Sequence, residues 1–175
     1  HLHVQRIMKH ILEPGADSDV YGIWEVVSNS LMIPPCQYGS LTLNGDGSLS
    51  YHTKNVHVSA RAAPKGETNP ELLDFAAFSD SYLRTVVKEQ TYRSIEDIPD
   101  YIREIMADFY TELYQDYYAG KQVNYSEKKK EQGYIFWDRF MNPSMQFRQV
   151  EGMMRDGMAV NNQAEIPNPV WMRRE

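Results

Sequence analysis

One cysteine, Cys36, is all that the 175 residues contain, so no disulfide can form within the chain. Cohesion must come from a packed core, which a chain of this length can build without covalent or metal staples. A lone thiol fits a reducing compartment such as the cytoplasm, the location the sequence favours. No apolar run approaches the ~18 residues that would cross a bilayer, so a soluble domain without a membrane span is expected. Positive charge is also scarce: 18 Lys and Arg face 24 Asp and Glu, a net charge of -6. Lys128, Lys129 and Lys130 form the only basic run. Proteins that grip phosphate backbones carry a positive face, so nucleic acid is not the expected partner. There is no phosphate-binding P-loop, no dinucleotide fingerprint and no nucleophile-elbow serine, and no cofactor is implied. The first residue is His1 rather than Met, so the lack of a leader in these residues says nothing about compartment.

What is present is ordinary globular composition, 42% hydrophobic and 24% charged, with 12 Tyr and 3 Trp. Large amphipathic rings suit cores, and they also suit interfaces. The pattern predicts an α+β fold, mostly helical, with a small three-stranded antiparallel meander packed on helices. A single domain is expected over residues 1–157, with a docked extended tail over 158–175. Within it, 1–33 reads as a pair of helices (3–12 and 19–31), because Val4, Ile7, Met8, Ile11 and then Val20, Ile23, Trp24, Val27 fall at helical spacing. Residues 38–61 read as the meander. Asn44-Gly45-Asp46-Gly47 offers turn residues between two alternating runs, and a third run follows over 56–60. Leu41, Leu43, Leu49, Tyr51, Val56 and Val58 would face the core. Residues 69–157 read as helices over about 70–89, 94–119, 126–141 and 143–157. Asn69-Pro70 and Gly120 supply start and stop signals.

Several groups of residues invite a chemical reading. Glu96, Asp97, Asp100, Glu104, Asp108, Glu112 and Asp116 share one predicted helix with a single base, Arg103. Such a run is usually a solvated face. A docking stripe for a basic partner is the sharper alternative, with Glu104, Asp108 and Glu112 at its centre. Tyr114 sits on the flank of that helix. The tail ends in Trp171 and Met172, which would anchor it on its own domain or on a neighbour.

His52 and His57 are placed on adjacent predicted strands, where they would be cross-strand neighbours able to act as acid and base, with Asp46, Glu25 or Cys36 nearby. Strand surface is the plainer role for both. Cys36 follows two prolines, and nothing beside it in sequence would stabilise a thiolate. His1 and His3 could hold a copper ion together with a free terminal amine, and fortuitous placement is the plainer account.

No constellation of side chains points to one reaction. The reading that fits best is a non-catalytic subunit or adaptor of a larger assembly, with protein partners or further copies of itself as neighbours. It would bind through aromatic and Met-rich helix surface, the acidic helix and the tail. An enzyme using His52 and His57, and a small-ligand or metal-binding module, are the alternatives.

Overall fold

The computed structural model describes residues 4–10, 23–94 and 97–166. It is an α+β fold in which a three-stranded antiparallel sheet packs against helices.

The N-terminal region is not a helical pair. Arg6–His10 (β1) and Ile23–Val27 (β2) form an antiparallel two-stranded sheet, with Arg6 opposite Val27 and His10 opposite Ile23. Helical spacing in this segment is coincidental. Ile7, Ile23, Trp24, Val26 and Val27 are β-branched or aromatic residues, which fit a pleated surface better than a helix. Across the pair, the Lys9 ammonium lies 5.5 Å from the Trp24 ring centroid, and His10 Nε2 lies 2.8 Å from Glu25 Oε2.

The hairpin falls where the turn residues put it. Gln37–Leu43 (β3) and Leu49–Asn55 (β4) pair antiparallel, Leu41 facing Tyr51 and Leu43 facing Leu49. Gly47 has φ 82°, which glycine adopts without a steric penalty. The Ser48 hydroxyl and amide both donate to Asp46 Oδ1 and hold its carboxyl below the ordinary carboxylate value. The expected third strand over 56–60 is instead the start of a helix, α1 (Val58–Ala62). Gln163–Ile166 (β5), from the segment read as an aperiodic tail, takes the third place beside β4. Ile166 faces Leu49, and His52 faces Gln163.

The helical region follows as α2 (Pro70–Leu73), α3 (Phe75–Ser94), α4 (Asp100–Tyr118), α5 (Tyr125–Lys128), α6 (Gln132–Met141) and α7 (Met145–Asp156). Two predicted helices are therefore split. Asp74, at φ -130°, separates α2 from α3. A turn through Lys129 and Lys130 separates α5 from α6, and Glu131 precedes the first residue of α6 with extended backbone. Ser144 Oγ caps α7 by accepting from Phe147 N at 3.1 Å.

The core is built around α4, which packs on α3, α6 and α7. Met106, Leu113, Trp137, Val150 and Met154 are its fully buried members. The Trp137 indole N–H donates to the Met106 carbonyl at 2.9 Å, so the buried ring brings no unpaired donor with it. The strands join this core by hydrogen bonds. Gln5 N donates to Tyr118 O, Tyr51 Oη donates to Gln5 Oε1, and Asn161 N donates to Gly120 O just before β5 begins.

Candidate functional site

A cavity of about 500 Å³ opens where the end of the N-terminal half meets the helices. One wall is the turn Pro34, Pro35 and Cys36, which leads into β3. A second is the exit of β4 through Val56 into α1, and α3 contributes Phe75, Ala76, Ser79 and Asp80. Gln115 and Lys121, at the end of α4, complete it. Cys36 is held at φ 52°, a left-handed conformation unusual for a non-glycine residue. Two backbone bonds fix it there: its N–H donates to Ile33 O at 2.8 Å, and its carbonyl accepts from Val56 N at 2.9 Å.

Depth sorts the lining by chemistry. Pro34, Cys36, Phe75 and Ser79 are buried, whereas Asn55, His57, Asp80 and Lys121 are exposed. At the buried end Cys36 Sγ lies 3.0 Å from Ser79 Oγ. At the exposed end the charges are already matched. Lys121 Nζ is 3.0 Å from Asp116 Oδ1, and the Gln115 amide donates to Asp80 Oδ1.

The structure separates the residues singled out in the sequence. His52 and His57 are not cross-strand neighbours. They lie on one continuous segment, with His52 in β4 opposite Ser40 and Gln163 and His57 just before α1. His52 is exposed on the polar face of the sheet, 3.9 Å from Glu165. His57 lines the cavity together with Cys36 and Asp80, so the cavity gathers one histidine, one thiol and one carboxylate. Glu25 pairs with His10 and Asp46 with Ser48, and neither lines the cavity. His1, His3, Trp171 and Met172 lie outside the described residues. Among the described residues, no group of three or more His, Cys, Asp or Glu is arranged to hold a metal ion, and no helix is long and apolar enough to cross a membrane.

The acidic helix is not the bare stripe that its own composition suggests. Cations from other elements meet its carboxylates: Arg84 and Lys88 of α3 pair with Asp108 and Glu104, and Lys128 Nζ of α5 reaches Glu112 Oε1 at 2.8 Å. Burial disfavours the Lys128 ammonium, but Glu112 and Glu131 outweigh it and raise its pKa above the ordinary lysine value. Tyr114 stacks on Tyr118 with ring centroids 4.1 Å apart and donates to its hydroxyl at 2.7 Å. Burial and that bond raise the Tyr114 pKa, so the ring acts as a neutral packing element.

The cavity residues Ser79, Asp80, Gln115 and Lys121 gave no sequence signal. They come from separate segments, and none belongs to a motif. The one local clue was the Pro-Pro-Cys turn.

Residues 57–159 match the family model described as the C-terminal domain of cyclic nucleotide phosphodiesterase. The chain belongs to that family. The matched segment takes in α1 through α7 and leaves out all five strands. It includes most of the cavity lining, from His57 to Lys121, but not the Pro34–Cys36 wall. No curated protein matches the chain.

Proposed function

We propose that this chain is a non-catalytic accessory domain of a cyclic nucleotide phosphodiesterase, docked on the hydrolytic portion of that enzyme through its sheet. The observation that carries this reading is an apolar sheet face that the described residues cover at one end only. Leu41, Leu43, Leu49, Tyr51, Ala164 and Ile166 share that face by register and alternation. Tyr51 and Ile166 are buried, whereas Leu41 and Leu43 on the edge strand β3 are 59% and 63% exposed. The sequence pattern places both leucines in the core, and the structure leaves them exposed. An edge strand that leaves two leucines on an open apolar face is costly in a free domain and is the kind of surface a neighbour covers. The family description bears on the choice of neighbour, because it names a C-terminal domain of such an enzyme, and a C-terminal domain implies a further portion of the same protein. The paired acids of α4 weigh less: exposed ion pairs contribute ~0–1 kcal/mol, and their charge is already met within the chain.

The test combines an activity assay with a binding assay. The 175-residue chain alone should not hydrolyse cyclic AMP or a chromogenic phosphodiester, with or without added divalent metal. It should bind the separately produced hydrolytic portion in calorimetry, and the pair Leu41→Lys with Leu43→Glu should weaken that binding by at least about tenfold, ~1.4 kcal/mol. Turnover by the chain alone, or binding indifferent to the double substitution, would refute the reading.

A further inference from the structure

We propose that the cavity between the Pro34–Cys36 turn, α1 and α3 is a binding site for a small, neutral, heteroaromatic molecule of the nucleoside class. This goes beyond the docking reading and does not depend on it: the cavity and the open leucine face are different surfaces.

Size is the first argument. A volume of about 500 Å³ lies within the range of small-molecule sites, and the lining exposes more apolar than polar surface although nearly half of its residues are polar. The buried end selects a ring. Pro34 and Phe75 line it there with apolar surface, and Phe75 is an aromatic side chain that suits a flat heterocycle.

The Cys36–Ser79 pair supplies a polar contact for that ring. Cys36 is 6% exposed and Ser79 4%. The thiol and the hydroxyl carry one hydrogen each, and the bond between them uses only one. Whichever group donates, the other keeps a hydrogen at the buried end of the cavity. A ring nitrogen or ring carbonyl is the acceptor that would satisfy it, and a hydrocarbon ring would leave it unmet.

Charge decides the rest of the ligand. Lys121 is committed to Asp116, and Asp80 already accepts from Gln115. Among the described lining residues, the one ammonium and the one carboxylate of the mouth are therefore already paired, and His57 adds an imidazole rather than a second ammonium or a guanidinium for a phosphate dianion. The mouth does offer acceptor capacity on the Asp80 carboxylate and an exposed amide on Asn55, both suited to sugar hydroxyls. A nucleoside joins the two requirements: a heteroaromatic base for the buried end and neutral hydroxyls for the mouth.

Cys36 is the chain's only thiol, so it reports on the site without interference. The probes are adenosine and its monophosphate, adenylate, with the 175-residue chain. Adenosine should give saturable saturation-transfer NMR signals. At ten times its Kd it should slow alkylation of Cys36 by iodoacetamide about tenfold. Adenylate should bind more weakly. Ala76→Trp, at an exposed position of the cavity wall, should fill the site and abolish both adenosine effects while leaving the circular dichroism and the melting temperature unchanged. Asp80→Ala, which removes the acceptor assigned to the sugar hydroxyls, serves as a second variant and should weaken adenosine binding if the tryptophan disturbs folding. Failure of adenosine to bind or to protect Cys36 overturns the proposal. So does binding that survives Ala76→Trp in a folded protein, and adenylate binding tighter than adenosine overturns the neutral-ligand assignment.

Discussion

Two glycines on neighbouring helices show how closely residue identity is constrained. A Cβ added to Gly133 would lie 2.2 Å from Phe109 Cβ and 2.7 Å from its Cγ, well inside contact distance. Both positions are buried where α6 crosses α4, so the helices must separate to admit a methyl group. Gly133→Ala is expected to cost about 1–3 kcal/mol, read as a lower urea midpoint at unchanged slope. Gly152 in α7 meets nothing within 4 Å. Gly152→Ala should therefore stabilise by about 0.5–1 kcal/mol through helix propensity alone. Opposite signs from the same substitution would separate packing from backbone entropy.

At the scale of elements, one carboxylate ties three helices together. Glu151 of α7 accepts from the Tyr134 hydroxyl of α6 and from the Tyr125 hydroxyl of α5 at 2.8 Å, and Arg155 donates to it from one turn on. Lys129 lies over both tyrosine rings, 5.3 and 5.4 Å from their centroids. Burial disfavours the Glu151 carboxylate, but hydrogen bonds from Tyr134, Tyr125 and Arg155 and the Lys129 charge outweigh it, so its carboxyl sits below the ordinary value of 4.5. A carboxyl more acidic in the folded chain than in the unfolded one adds stability above its unfolded pKa and loses it as the pH falls through the folded value. Stability should decline as the pH drops below about 4.5, and Glu151→Gln should be most destabilising above about pH 5 and progressively less so in acid. Chemical denaturation at a series of pH values reads this directly. A gap between the two proteins that does not change with pH would mean that the carboxylate charge is not what joins the helices.

At the scale of the whole molecule, the two halves are closed by a strand from the far end of the chain. β5 lies more than a hundred residues beyond β4 in sequence, yet it pairs with β4 over four residues. Ile166 is buried at its end, and Thr53 N donates to Asn162 O just before it begins. Ile166→Ala should cost about 2–5 kcal/mol and release amide protection in β4 ahead of α4 and α6. Uniform loss of protection across sheet and helices would show instead that the sheet and the helical region unfold as one unit. The cavity depends on the same arrangement, because two of its walls lie at the ends of β3 and β4 and the others belong to helices.

The sequence by itself determined the fold class, the hairpin at Asn44–Gly47 and the helical content beyond residue 69. These rest on local rules: turn residues that accept positive φ, apolar residues repeating at 3.6, and capping by Asn and Ser side chains. Tertiary structure decided which segments pair. The runs at 6–10 and 23–27 fit helical spacing and strand spacing alike, and only pairing with each other settles the choice. Residues 163–166 have no period of their own and become a strand because β4 offers an open row of backbone donors and acceptors. The cavity was not legible for the same reason. Cys36, His57, Ser79 and Lys121 carry no shared spacing, and only the folding of distant segments onto α3 and α4 brings them to one surface.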